Sequence, residues 1–314
     1  MYDYDIYISL RKQVNLSIHY NNTYYRTKLK YSLYIIITIS LGLNLFSCKS
    51  IENKNELPKK ITYKTIHKQE LDFKKKNVTG MVYSENLKSF WIQTKSENEP
   101  YLFLINPKTG KTKDKIFVRS TSFGWQGISN YENTLHIGDI GDPKRKRKSI
   151  QVYSIAEGDI KDQFTVPSIK TFSYPRGKKD AKAMVYHPKL KQFFIFTYGA
   201  KKSEVYSISS KLDKGTLKKV GEVNLQKVTD VQLSSDFSEL LIVANNEVKV
   251  FSIKSEKDIL SVIDTGMPIF QKRLNNCVFQ SGCFYGHKND LCLLVYNPIQ
   301  NKTFYTLEQK EGYY

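Results

Sequence analysis

A chain of 314 residues, 40% of them hydrophobic, can bury one large β domain or two ordinary ones. Its 22 Tyr and 17 Phe favour strands over helices, and a formal net charge of +19 points either to anionic surfaces or to well-solvated lysine faces. The sequence holds no G-x-S-x-G elbow, phosphate-binding loop or dinucleotide fingerprint, so the enzyme classes built on those motifs have no support in it.

The first 47 residues read as lying outside the fold. Residues 1–25 are an N-terminal extension that a start site placed too far upstream would explain. Residues 26–47 read as a lipoprotein signal peptide: Arg26, Lys28 and Lys30 form a positive n-region, and 31–43 is an apolar run of signal length, short for a membrane span. The run leads to Leu45-Phe46-Ser47-Cys48, which resembles the lipobox of bacterial lipoproteins, where the Cys becomes the lipidated N-terminus. Phe46 stands where a small or β-branched residue is usual. An uncleaved anchor is the alternative. Residues 1–47 carry only five of the 49 Lys/Arg and two of the 30 Asp/Glu, so the remainder keeps a charge of +16. Residues 48–60, polar with one Pro, suit a short tether, and 61–314 is the expected domain.

From residue 61 the pattern is strands and turns with no helical period. Apolar and polar residues alternate in 78–84, 90–94, 151–155, 193–197, 205–208 and 248–253. Turn chemistry separates these runs at Asn106-Pro107-Lys108-Thr109-Gly110, His187-Pro188, Ser234-Ser235-Asp236 and Asn297-Pro298. A repeat follows. Aligning units at Gly80, Gly127, Ala183, Val231 and Val278 gives steps of 47, 56, 48 and 47 residues, the range of a four-stranded propeller blade. Each unit has a short strand, a turn, a hydrophobic strand (FWIQT, TLHIGDI, FFIFTYG, LLIVANN, LCLLVYN) and a strand carrying an aromatic. The predicted fold is an all-β propeller of five blades, with six as the alternative if the 56-residue step or the tail hides another unit. The last unit shows three strands, and 61–71 is expected to supply the fourth and close the ring, which removes exposed sheet edges.

Several segments also carry a resemblance. Thr79-Gly80-Met81, Trp91-Ile92-Gln93-Thr94-Lys95-Ser96 and 102–110 follow the order S-G-L, W-x-H-N-D-S-G and L-Y-x-x-D-x-x-T-G. Gly124-Trp125-Gln126-Gly127-Ile128-Ser129 corresponds to D-W-E-D-I-A, and 135–147 to L-Y-V-G-D-I-G-D-N with a trailing Arg, Pro143 replacing the Asn. Asp180 to Met184 corresponds to D-x-E-A-L, and Thr229 to Ser234 to T-D-x-x-x-S. Over roughly 77–253 the chain thus resembles a group of bacterial exported propellers, similar to WD-repeat-like and phytase-like propellers. The resemblance implies inner-strand acids. Lys95, Gly124, Gln126, Gly127 and Lys182 stand where that group has them, while Asp139, Asp142, Asp180 and Asp230 remain.

These four acids are candidates either for a carboxylate or calcium site at the channel or for shaping Gly-containing turns through backbone N–H bonds, and the second reading is favoured for Asp139 and Asp142. His136, read as lying on an inner strand beside Asp139, is expected to be a core histidine before a catalytic base. Cys277, Cys283, His287 and Cys292 have the spacing C-x5-C-x3-H-x4-C, which lacks the C-x2-C clamp of a zinc site. One disulfide and one unpaired thiol are expected among the three cysteines, with the pairing open. Lys144, Arg145, Lys146, Arg147 and Lys148 at a hairpin tip are a candidate contact for anionic polymer such as lipopolysaccharide phosphate.

The expected protein is therefore a monomeric, lipid-anchored propeller of the bacterial cell envelope, placed at the outer membrane, acting as a binding or scaffold module. Its expected partners are the membrane through the lipid on Cys48 and an anionic polymer or envelope protein, with no specific nucleic acid. No metal or cofactor is expected. The alternative is a propeller hydrolase of phosphatase, lactonase or esterase type, with calcium held by Asp139 and Asp142 together with backbone carbonyls and water.

Overall fold

Strands that are apolar on both faces must be covered on both faces, and this governs the architecture. In SFWIQT (β3, Ser89–Thr94) and ELLIVA (β17, Glu239–Ala244) every residue is buried. A strand of this kind needs a neighbouring sheet on each side, as the second strand of a propeller blade has. The computed structural model describes residues 61–71, 78–94, 99–254, 259, 261–262, 266–275, 277–286, 289–297 and 301–311. The readings placed on residues 1–60, with Cys48, and on Lys95 and His287 lie outside the described residues.

Five sheets form five blades. From the inside outward, blade one is β2 (Val78–Ser84), β3, β4 (Tyr101–Ile105) and β5 (Thr112–Val118). Blade two is β6 (Trp125–Tyr131), β7 (Thr134–Asp139), β8 (Ile150–Ala156) and β10 (Ser168–Ser173). Blade three is β11 (Ala181–His187), β12 (Gln192–Thr197), β13 (Ser203–Ser209) and β15 (Lys218–Val223). Blade four is β16 (Val228–Leu233), β17, β18 (Glu247–Ser252) and β19 (Phe270–Arg273). Blade five is β20 (Val278–Tyr285), β21 (Asp290–Asn297), β22 (Asn301–Glu311) and, on its outer edge, β1 (Ile61–Glu70).

The ring closes as expected. β1 runs antiparallel to β22 from Ile61↔Glu311 to Glu70↔Thr303, so the N-terminal end of the domain completes the last blade. The core confirms the circuit, because the buried apolar residues divide into five clusters and each sits between two blades. Trp91 and Trp125 pack between blades one and two, Ile150 and Phe193 between two and three, and Phe194 and Leu240 between three and four. Leu241 and Phe279 pack between four and five, and Phe90 and Phe304 between five and one. A sixth blade is not hidden in the 56-residue step. The extra residues there form a 3-10 turn (Glu157–Asp159) and β9 (Phe164–Thr165), which pairs in parallel with β5 of blade one. β14 (Lys214–Thr216) likewise pairs in parallel with β10, so two blades are stitched to their predecessors at the outer edge.

Every innermost strand carries a β-bulge near its start. One extra residue interrupts the register between Val78 and Gly80, Trp125 and Ile128, Ala181 and Ala183, Val228 and Asp230, and Phe279 and Ser281. A bulge re-aims a side chain. Repeated five times at one level, it builds one end of the channel.

Candidate functional site

The bulge residues Thr79, Gln126, Lys182, Thr229 and Gln280, one per blade, line a cavity of about 270 Å³ at the end of the channel where the inner strands begin. Gly127 beside this ring has φ +78, and a Cβ there would lie 2.6 Å from the Met184 nitrogen, so the close approach of blades two and three requires glycine. Lys182 Nζ lies 3.6 Å from the centroid of the Tyr198 ring, a cation held on an aromatic face. Of the positions where the resemblance implies acids, Gln126 and Lys182 thus place an amide and an ammonium in this ring, and Gly124 and Gly127 carry no side chain.

The waist of the channel is closed by blade four. Gln232 Nε2 reaches across to donate to the Ile128 carbonyl of blade two at 2.7 Å and to Asp230 Oδ1 at 3.0 Å. Asp230 is fully buried and also accepts from the Val231 N–H, the Ser281 hydroxyl and the Gly282 N–H. Burial pushes its carboxyl up to about 7, against the pull of these donors. Because the folded carboxyl holds its proton more tightly than the unfolded one, its contribution to stability is fully present below about pH 4 and lost as pH rises to about 7. The melting temperature of the native chain relative to Asp230→Asn is therefore expected to fall between pH 5 and pH 8. A difference that stays constant over that window would contradict the assignment.

Asp139, Asp142 and Asp180 come together at the same end as the bulge ring, at the last residue of β7, on the loop that follows it and on the segment before β11. Asp139 accepts from the Gly124 N–H at 2.7 Å and from Arg147 Nη1 at 2.9 Å. Burial pushes its carboxyl up, opposed by the Arg147 guanidinium and by the Gly124 and Phe123 N–H groups. Asp142 accepts from the Lys146 and Arg147 N–H groups and donates its own N–H to Asp180 Oδ1 at 2.8 Å. Among the described residues no group of three or more His, Cys, Asp or Glu is placed to hold a metal ion. Of the five loop cations, Lys144, Arg145, Lys146 and Lys148 are exposed, while Arg147 turns inward to Asp139 and the Gly141 carbonyl.

His136 lies on β7, the second strand of its blade and not the innermost. Its Nδ1 is 2.8 Å from Ser154 Oγ and its ring packs against Tyr186 and Phe193. Burial, with Lys170 nearby, lowers its pKa to about 4, so it stays neutral at neutral pH. Cys277, Cys283 and Cys292 are all free thiols, so the expected single disulfide is not formed among the described residues, although Cys283 and Cys292 are cross-strand partners. Burial pushes both of those thiols up, away from the reactive thiolate.

The opposite mouth, where the inner strands end, is the larger cavity, about 300 Å³. Tyr83, Tyr131 and Tyr186 each follow the end of their own bulge by three residues, so three successive blades offer a half-buried tyrosine at one level. Phe237 and Tyr285 complete the wall, and Ser129, Asn130 and Gln232 supply polar lining. Tyr131 lies 6.0 Å from Tyr186 and 5.9 Å from Phe237 between ring centroids, and Tyr83 lies 5.9 Å from Tyr285. Asn130 Nδ2 donates to the Tyr83 carbonyl, while its buried Oδ1 has no partner among the described residues. The sequence reading missed this cup. The signal that could have found it is the tyrosine recurring at the same point of three repeats, which becomes legible only once the bulges fix the register.

No protein-family profile matches the sequence, and no curated protein does. Among solved structures the chain is similar to the β-propeller domain of Myceliophteria thermophila Cps50 (Swd1), at 12% identity and a TM-score of 0.41 over 77% of this chain and 76% of that one. It is also similar to Kuenenia stuttgartiensis hydrazine synthase, at 12% identity and a TM-score of 0.40 over 73% of this chain and 58% of that one.

Proposed function

We propose that this chain is a membrane-tethered binding module of the bacterial cell envelope, held by a lipid on Cys48 and recognising its ligand at the aromatic mouth of the propeller channel. The observation that carries this reading is the contrast between the two mouths. At one, Asp139 and Asp142 are taken up by backbone N–H groups and Arg147, which leaves them poorly placed to bind a cation or relay a proton. At the other, half-buried rings and polar groups line an open concave surface of ligand size. The exposed cations Lys144, Arg145, Lys146 and Lys148 belong to the first mouth, and they suit a separate, salt-sensitive contact with anionic polymer.

β1 starts at the aromatic mouth, since Ile61 pairs with Glu311 at the end of β22 and Tyr63 donates to the Asn289 carbonyl in the turn after β20. The proposed tether, residues 48–60, therefore joins the domain on that side.

Two results test the reading. In the full chain, Cys48→Ala is expected to abolish incorporation of a fatty-acid analogue and to release the protein from the membrane fraction; unchanged incorporation would contradict the anchor. The purified chain is expected to show no turnover of phosphate esters, lactones or carboxylic esters, with or without calcium. Turnover that disappears in Asp139→Asn would replace the binding reading with a hydrolase.

A further inference from the structure

We infer that the aromatic cup takes a methylated ammonium group, a compact organic cation. This assignment rests on the reading of the cup as the ligand site. The chain carries 49 Lys and Arg, yet none is among the described residues that line the cup, whereas Glu85 and Glu132 both are. With Lys88 paired to Glu85 and Lys189 near Phe237 the rim is close to neutral, so the cup presents carboxylates and aromatic rings in place of the positive field that the rest of so basic a molecule carries.

The walls have the chemistry for such a group. An ammonium is drawn to the electron-rich face of an aromatic ring, and methylation lowers the cost of removing it from water, which is why aromatic cages select quaternary ammonium ligands. Tyr83, Tyr131, Tyr186, Phe237 and Tyr285 supply rings from all five blades. The rim already shows this attraction within the chain, because Lys189 Nζ lies 5.8 Å from the centroid of the Phe237 ring. Tyr131 donates to Glu132 Oε1 at 2.7 Å, which orients a carboxylate at the edge of the wall. Glu85 is paired with Lys88 at 2.9 Å, and that lysine side chain is 64% exposed. A surface pair of this kind is weak enough for an arriving cation to displace it. Asn130 Oδ1, without a partner among the described residues, adds a dipole end of the same sign as the two carboxylates.

The methylated ammonium group can be carried by a small solute or by a modified lysine of a protein partner, and the test separates these sources. The full chain, purified in a polyoxyethylene detergent, is titrated with choline, with N-acetyl-trimethyllysine amide and with glucose, and binding is read by saturation transfer to the ligand. Binding of choline or of the trimethyllysine compound is expected in the millimolar range or tighter, and the tighter of the two identifies the source. Tyr131→Leu is expected to weaken binding roughly tenfold and Glu132→Gln a few-fold. Phe123→Ala, on the opposite face, is expected to leave it unchanged. Melting curves that match the native chain show that each variant is folded, and Glu132→Gln, an exposed change, serves if Tyr131→Leu is not. Saturation of glucose alone, or of none of the three, would overturn the ammonium assignment. If the chain also lacks hydrolytic turnover, the binding reading survives that failure; hydrolytic turnover lost in Asp139→Asn would remove both.

Discussion

Replacing Glu157 by Ala is expected to lower the unfolding free energy by about 3 kcal/mol, measured by chemical denaturation. Glu157 is buried in the 3-10 turn after β8, in blade two, but its partners lie in blade one. Its Oε1 accepts from Trp91 Nε1 at 2.8 Å, and its Oε2 accepts from Ser84 Oγ at 3.0 Å and Asn86 Nδ2 at 3.4 Å. Trp91 and Ser84 have almost no exposure, so truncating Glu157 strands two buried donors with no route to water. Each such group costs roughly 1–3 kcal/mol. Glu157→Gln keeps an acceptor for the indole and is expected to lose less than half as much. A loss under about 1 kcal/mol in the Ala variant would mean that the junction of the two blades does not depend on this buried carboxylate.

Asp139→Ala is expected to have the larger effect, about 3–5 kcal/mol, because it leaves a positive charge buried without its partner. The Arg147 side chain is only 18% exposed and that of Asp139 is fully buried, so water replaces the lost partner of the guanidinium only in part. The Gly124 N–H loses its acceptor at the same time. The loop from Pro143 to Lys148 is then expected to detach, and trypsin should cut it many times faster than in the native chain. Unchanged stability and unchanged cleavage would show that the ion pair is not what fixes the loop.

The five-blade circuit was legible because second strands covered on both faces read as continuous apolar runs, and those runs recur at the length of a blade. The closing role of β1 followed from counting three strands in the last unit. The register of the inner strands was less legible. The aligned positions Gly80 and Ala183 directly follow their bulges, but the equivalents of Gly127, Val231 and Val278 are Ile128, Asp230 and Ser281. A bulge inserts a residue without a composition of its own: Thr79, Gln126, Lys182, Thr229 and Gln280 are all polar but are two Thr, two Gln and one Lys. The function of the acids depended on the same geometry. Asp139 and Asp142 occur in a conspicuous G-D-I-G-D run, yet their partners Gly124 and Arg147 are found only when β6, β7 and the basic loop meet. Glu157 gave no signal, since its partners lie 66 and 73 residues away in the sequence.

Both mouths, and every site argued from them, exist only if the ring is closed by β1 against β22. Lys64 and Glu308 are register partners in that pair. Their Cα atoms are therefore about 4.5–5.5 Å apart, within the range a disulfide spans. In a chain carrying Lys64→Cys and Glu308→Cys, oxidation followed by peptide mapping is expected to find residue 64 joined to residue 308 within single chains, with a raised melting temperature that reduction reverses. A linkage found only between chains, or none, would contradict the closed five-bladed ring.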